Sequence, residues 1–281
     1  MEIIQKSFDM QQRSLELCQK GKKIALVPTM GFLHEGHMRL VDIAKEQADI
    51  VILTIFVNPT QFGPSEDFDK YPRDLKRDQS LTEARGVDFL FVPSAQEIYP
   101  PDDQTFVLVT EVTRGLCGPF RPGHFRGVTT VVAKLFLITQ PQLALFGEKD
   151  YQQLMAIKRM VFDLHFPIKI VGVPTVREPS GLAMSSRNTY LDPQEKAEAL
   201  NLYKAIQLAQ DMVKKGECRS KVILEAVHFQ LASGTKTQIE YSEIVTAELL
   251  TSVEKADKTS RLIMSIRVNG KRLIDNGPLV S

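Results

Sequence analysis

Two hydrophobic periods alternate along the chain, short continuous apolar runs and stripes at helical spacing, and their succession predicts most of the elements. After a short apolar entry at Ile3-Ile4, a helix around Phe8 and Leu15 is expected to end at Gly21. Ile24 to Val27, bounded by Pro28, reads as a buried strand, and Asp49 to Val57, nearly all apolar and β-branched, as a second. It stops at Asn58-Pro59, because proline has no N–H with which to continue a ladder. Between the two strands, Leu40, Val41 and Ala44 form a helical stripe that opens near Gly36. Leu75 to Arg85 predicts a surface helix closed by Gly86, Asp88 to Pro93 a strand, and Val128 to Ile138 a buried helix. Gln142 to Phe146 and Pro167 to Val173 are further strands. Thr105 to Val109 is expected as a short extra strand, and Gly115 to Gly127, rich in Gly and Pro, as a mobile basic loop.

Beyond Val176 the pattern changes. Asp192-Pro193 opens a helix reaching Val213, a second helix spans Ser220 to Leu231, and strands at Ile239 to Val245 and Leu262 to Val268 follow. The last strand turns at Asn269-Gly270, a favoured hairpin pair, into Arg272 to Ile274. Alternating strand and helix, then helices followed by strands, predicts an α/β chain: a Rossmann-like doubly wound parallel sheet over 1–176 and a smaller C-terminal α+β lid domain over 177–281.

The chemistry gathers where predicted strands meet predicted helices. Met30, Gly31, Phe32, Leu33, His34, Glu35, Gly36 and His37 follow the first strand, so two imidazoles arrive at a helix start, where unpaired N–H groups and the dipole favour an anion. One histidine there is ordinarily a cap; two at a spacing of three share a helix face across a residue without a side chain. The zinc-protease spacing is excluded, since the second histidine comes one residue too soon. Asn58 and Gln61 are delivered at the end of the second strand, where a ligand contact and a plain turn capped by Asn58 are equally good readings. The segment that follows, past Asp67, Asp69 and Tyr71, is long enough to be a lid. Arg121 and His124 lie in the basic loop. Gly147, Glu148, Lys149 and Asp150 repeat the strand-to-helix junction, with Asp150 placed to cap. Downstream, Ser185, Ser186 and Arg187 put two hydroxyls and a guanidinium in a Gly-containing loop, a second phosphate grip.

Composition narrows the classes of function. With 35 basic and 34 acidic residues the net charge of +1 provides no excess to neutralise a nucleic acid backbone. Cys18, Cys117 and Cys218 are odd in number and widely spaced, forming neither a metal quartet nor a C-x-x-C pair. Three thiols suit a reducing compartment, and the chain shows no apolar leader core or membrane-length run, so a cytoplasmic enzyme is expected. No G-x-S-x-G nucleophile motif occurs either.

His34-Glu35-Gly36-His37 resembles the H-x-G-H signature of the nucleotidyltransferase superfamily, and Pro28 to His37 is similar to its pantothenate synthetase branch. Phe56 to Phe62, Tyr71 to Arg73, Arg121 to Val128, Phe146 to Leu154, Leu182 to Asn188 and Arg272 to Asn276 carry the likeness along the chain in the same order. It departs at Phe32, where smaller residues or Asn are common, and at Pro179-Ser180, where an acidic residue often precedes the glycine. The resemblance implies ATP-dependent joining of pantoate to β-alanine through pantoyl adenylate, releasing pyrophosphate and AMP. His34, His37, Lys149, Ser185, Ser186 and Arg187 would be the catalytic donors, and Met30 to His37, Gly147 to Asp150, Val176 and Met184 to Arg187 would hold ATP. Gln61, Gln153 and Asn58 would hold pantoate, with Arg121 and His124 on the β-alanine side. Mg²⁺ would bridge the phosphates with few protein ligands, Asp150 being an outer contact, and the assembly would be a homodimer. The rival expectations are an adenylyltransferase of the same fold acting on another carboxylate or nucleotide, and a nucleotide-binding module without turnover.

Overall fold

The computed structural model describes residues 1–64 and 66–280. In chain order the elements are β1 (Glu2–Ile4), α1 (Ser7–Gln19), β2 (Ile24–Thr29), α2 (Glu35–Gln47), β3 (Ile50–Ile55), α3 (Leu75–Ala84), β4 (Phe89–Phe91), α4 (Ala95–Ile98), α5 (Cys117–Phe120) and α6 (His124–Thr139). They continue with β5 (Leu143–Gly147), α7 (Tyr151–Asp163), β6 (Lys169–Val173), α8 (Pro193–Lys214), α9 (Ser220–Leu231), β7 (Thr237–Thr246), β8 (Ser260–Val268) and β9 (Lys271–Pro278). Backbone contacts divide the chain into two compact units: one of Met1–Thr110, Arg121–Glu148 and Ala156–Val176, the other of Glu111–Phe120, Lys149–Met155 and Arg177–Ser281.

In the first unit the apolar runs pair as a parallel sheet in the order β1-β4-β3-β2-β5-β6. Both faces of such a sheet are covered, which is why its strands read as unbroken hydrophobic runs. Ala25, Val27, Leu53, Leu90, Leu143 and Leu145 from the strands pack with Met38, Leu40, Val41 and Ala44 of α2. The chain leaves β2 on one side through β3 and β4 and on the other through β5 and β6, so a topological switch point lies between β2 and β5. Ligands of open parallel sheets bind at the carboxyl ends beside such a point.

Three local expectations change. Pro28 lies inside β2, paired in register with Thr54, so the strand extends to Thr29. Thr105 to Val109 joins no sheet: Thr130 Oγ1 accepts the Val107 N–H at 3.0 Å and Thr129 Oγ1 donates to the Val107 carbonyl at 2.7 Å. Two hydroxyls of α6 thus replace a ladder. The expected loop at 115–127 contains α5, and α6 starts at His124, four residues before the apolar stripe.

The second unit is an antiparallel sheet β7-β8-β9 with α8 and α9 in the same hydrophobic cluster. Asp192 and Glu195 form a reciprocal capping box at the start of α8, and Asn269 and Gly270, both left-handed, make the predicted hairpin turn. The observed architecture is therefore α/β with a small C-terminal antiparallel sheet.

Candidate active site

The end of β2 is tied to β3 before the histidines are reached: Thr29 Oγ1 donates to the Thr54 carbonyl at 2.6 Å and accepts the Gly31 N–H at 3.1 Å. Gly31 adopts φ +82°, and a Cβ there would stand 2.9 Å from Ile55 and 3.1 Å from Asp78 Oδ2, so both conformation and space require glycine. Phe32 is also left-handed, at φ +48°, a strained state for a bulky residue. Asp78, brought in by α3 and almost fully buried, holds it there, accepting the N–H groups of Phe32 at 2.7 Å and Leu33 at 2.8 Å. Burial outweighs those bonds and the neighbouring Arg77, so the Asp78 carboxyl titrates above its ordinary range. Arg77 donates to the Leu33 carbonyl at 2.9 Å and lies over the Phe32 ring.

His34 is the N-cap of α2 and His37 its third residue, and the two form a reciprocal box in which imidazoles take the usual place of Ser and Glu. His34 Nδ1 accepts the Gly36 N–H at 3.1 Å, and His37 Nδ1 accepts the His34 N–H at 3.3 Å. An accepting Nδ1 carries no proton, so each neutral ring has its N–H at Nε2. The rings lie 4.0 Å apart, centroid to centroid. The N–H groups of Gly31, Phe32, Leu33, His34, Gly36 and His37 are spent on Thr29, Asp78, the two imidazoles and the His34 carbonyl, so the expected unpaired backbone donors are taken up within the turn and the imidazole Nε2–H groups are what it brings to an anion. Glu35, exposed, makes an ion pair with Arg85.

At the end of β3, Asn58 caps a helical turn over 59–61 and is buried. Its Nδ2 donates to Gln61 Oε1 at 3.1 Å and to the Gly127 carbonyl at 3.2 Å, while Oδ1 accepts from Tyr99 Oη at 2.9 Å. Gln61 Nε2 lies 3.1 Å from Met30 Sδ, so the amide reaches the turn that carries the histidines. Gly127 is another position in this region where only glycine fits, because a Cβ would collide with the Thr60 carbonyl and the Gln61 nitrogen. Asn58 caps its own turn, as the plain-turn reading expects, and its side chain also reaches Gln61.

In the second unit, Lys149 and Asp150 belong to a helical turn that leads into α7. Gln152 and Gln153 differ sharply. The Gln152 amide is buried and fully used, accepting the Cys117 N–H and donating to the carbonyls of Val112 and Gly115, whereas the half-buried Gln153 side chain makes no hydrogen bond among the described residues. Ser185 caps the turn that carries Ser186 and Arg187. The 177–188 loop, which runs into this turn, is anchored to β9, where Arg177 donates to both oxygens of buried Asp275, at 2.7 and 3.0 Å. The next residue, Asn276, donates to the Lys149 carbonyl at 2.9 Å. Two consecutive residues of one strand therefore secure both the lysine turn and the serine-arginine loop.

A family model described as pantoate-beta-alanine ligase matches residues 2–278. The chain belongs to the pantoate–β-alanine ligase family. It is 50% identical over 276 residues to the pantothenate synthetase of Moorella thermoacetica, covering 98% of each chain. Against that of a Sulfurihydrogenibium species it is 51% identical over 278 residues, covering 98% of this chain and 99% of the other. Its structure superposes on the crystal structure of pantothenate synthetase from Thermus thermophilus with TM-score 0.95 and 42% identity over 100% of both chains. The pantoate-beta-alanine ligase of Francisella tularensis, solved with beta-gamma ATP and β-alanine, gives TM-score 0.81 and 34% identity, covering 99% of this chain and 98% of that one.

The ligase sequence alone points to the histidines, the amides, Lys149 and the serine-arginine loop, and each stands in or within a few residues of a helical turn or helix start. It does not point to Asp78, Glu66, Asp275 or Tyr99, whose contacts join positions 41 to 98 residues apart. Among the described residues no three His, Cys, Asp or Glu side chains converge as a metal cage, and no helix is long and apolar enough to cross a membrane.

Proposed function

We propose that this ligase activates pantoate with ATP as pantoyl adenylate and then transfers the pantoyl group to β-alanine. A pantoate carboxylate oxygen attacks the α-phosphorus and pyrophosphate leaves; the β-alanine amine then attacks the mixed-anhydride carbonyl and AMP leaves. No acyl-enzyme is needed. The protein's part in the first step is to supply donors where negative charge moves onto phosphate oxygens. We assign that part to the Nε2–H groups of His34 and His37, the Lys149 ammonium, the hydroxyls of Ser185 and Ser186 and the Arg187 guanidinium. The turn from Met30 to His37, with Gly147, Glu148, Asp150, Val176 and Met184, is assigned to the nucleotide.

The observation that carries this reading is the histidine box, because using both Nδ1 atoms as acceptors commits both Nε2–H groups to donate. Gln61 and Gln153 are assigned to pantoate, since an amide both donates and accepts without adding a charge. Asn58 is assigned beside them, and Arg121 and His124 are assigned to the same turn, on whose Gln61 carbonyl both converge. Mg²⁺ fits as an ion brought by the triphosphate, with exposed Asp150 as its outer contact. Bound there, it would neutralise charge on the departing pyrophosphate. We assign the ligase to the cytoplasm and, separately, to a homodimer, whose mass light scattering tests directly.

Pyrophosphate release screened against pantoate and several other hydroxy acids tests reaction class and substrate together. Release dependent on pantoate supports the proposal; preference for another carboxylate selects the rival adenylyltransferase, and ATP binding without any release selects a module that lost turnover.

A further inference from the structure

We propose that Glu66, Arg121 and His124 are positioning residues for Gln61, holding its main chain so that its amide meets pantoate in one orientation. The proposal rests on the assignment of Gln61 to pantoate. Its basis is a convergence of bonds on a single carbonyl. Arg121 Nη2 donates to the Gln61 oxygen at 3.2 Å, and His124 Nδ1 lies 2.9 Å from the same atom. Arg121 Nη1 lies 3.0 Å from His124 Nε2, and an arginine nitrogen can only donate, so Nε2 accepts and the proton sits on Nδ1. That Nδ1–H then donates to the Gln61 carbonyl.

Arg121 is fixed in turn by Glu66, with Nε donating to Oε1 at 2.8 Å and Nη2 to Oε2 at 2.5 Å. Such a planar fork is available to arginine and not to lysine. Burial alone would raise the Glu66 carboxyl, but the Arg121 hydrogen bonds and charge carry it below its ordinary range. Four Arg121 N–H directions are spent within this cluster and its charge is matched by a carboxylate. A guanidinium in that state serves as scaffold. Opposite it, Gly127 lies against Thr60 and the Gln61 nitrogen, and Asn58 directs its N–H to Gln61 Oε1, which leaves Nε2 on the Met30 side. The main chain and the sense of the amide are both determined, while the outer end of the cluster depends on Glu66.

The test is a double-mutant cycle on the purified enzyme, read as initial rates with pantoate and β-alanine varied in turn. Glu66→Gln, nearly isosteric, and Arg121→Lys should each raise the pantoate KM on the order of tenfold, as loss of positioning does, with little change in the β-alanine KM. In a Gln61→Ala background both effects should shrink to near nothing. His124→Asn, whose amide nitrogen can replace Nδ1, should restore most of what His124→Ala loses. A raised β-alanine KM in Arg121→Lys that persists undiminished in the Gln61→Ala background would instead make Arg121 a direct carboxylate receptor and overturn the proposal. So would full additivity on pantoate. If Gln61→Ala leaves the pantoate KM unchanged, the pantoate assignment itself fails, an outcome distinct from the other two.

Discussion

His37 has two duties that substitution can separate. Its Nδ1 accepts the His34 N–H and so completes the cap of α2, while its Nε2–H is the donor assigned to ATP. His37→Ala removes both and should slow pyrophosphate release about 10²- to 10³-fold, the usual effect of losing one transition-state donor. Asparagine places a polar atom near Nδ1 and glutamine near Nε2. In rapid-quench and thermal-unfolding measurements, His37→Asn should therefore recover stability without rate, and His37→Gln part of the rate; the reverse pattern removes the donor assignment. Asp78 acts one layer behind. Because it takes two main-chain N–H groups of a left-handed turn, Asp78→Ala leaves both unpaired and should destabilise the fold by about 2–3 kcal/mol in urea unfolding. Asp78→Asn, with one acceptor oxygen in place of two, should fall between the variant and the parent.

Between elements, single carboxylates do much of the joining. Glu195, in the first turn of α8, takes hydrogen bonds from Lys271, Asn269 and its own capping partner Asp192, which bring its carboxyl down to about 2 from 4.5. A depressed acid stabilises the fold above the unfolded value and loses that contribution as pH falls through the folded one. Glu195→Gln should lower the urea midpoint at pH 7, and its deficit should close between about pH 4.5 and 2. A deficit independent of pH would mean packing and not charge. Such joints explain what can be read from the chain and what cannot. β3, β5, α3, α8, α9 and the Asn269-Gly270 turn are legible because period, caps and turn residues lie within a few positions of each other. Thr105 to Val109 is not, because its partners are hydroxyls on α6, which no local period announces. The site divides in the same way: His34, His37, Gln61 and Ser185 are visible at junctions, while the side chains that hold them come from distant segments. Asp275→Ala tests one such support. Removing the acceptor of Arg177 should cost about 3 kcal/mol and raise the ATP KM more than the pantoate KM, since β9 secures the lysine turn and the serine-arginine loop together.

Across the whole molecule, the likeness to the ligase family runs from residue 2 to 278, so the proposed chemistry belongs to the full chain and not to one grafted motif. The order of bond making then has a consequence that no side-chain substitution is needed to observe. If a pantoate oxygen attacks the α-phosphorus, that oxygen stays on phosphorus when the β-alanine amine displaces AMP. Pantoate labelled with ¹⁸O in its carboxylate should deliver one labelled oxygen to AMP in each turnover and none to pyrophosphate, as read by mass spectrometry. Attack at the γ-phosphorus would place the label in inorganic phosphate and release ADP. Direct condensation without activation would send it to water. Without β-alanine the enzyme should release about one pyrophosphate per site in a burst and then stall, because the adenylate stays bound until an amine arrives. Label in AMP without a burst would keep the intermediate but show that it escapes or hydrolyses, and with it would fall the idea that these donors hold the adenylate as well as make it.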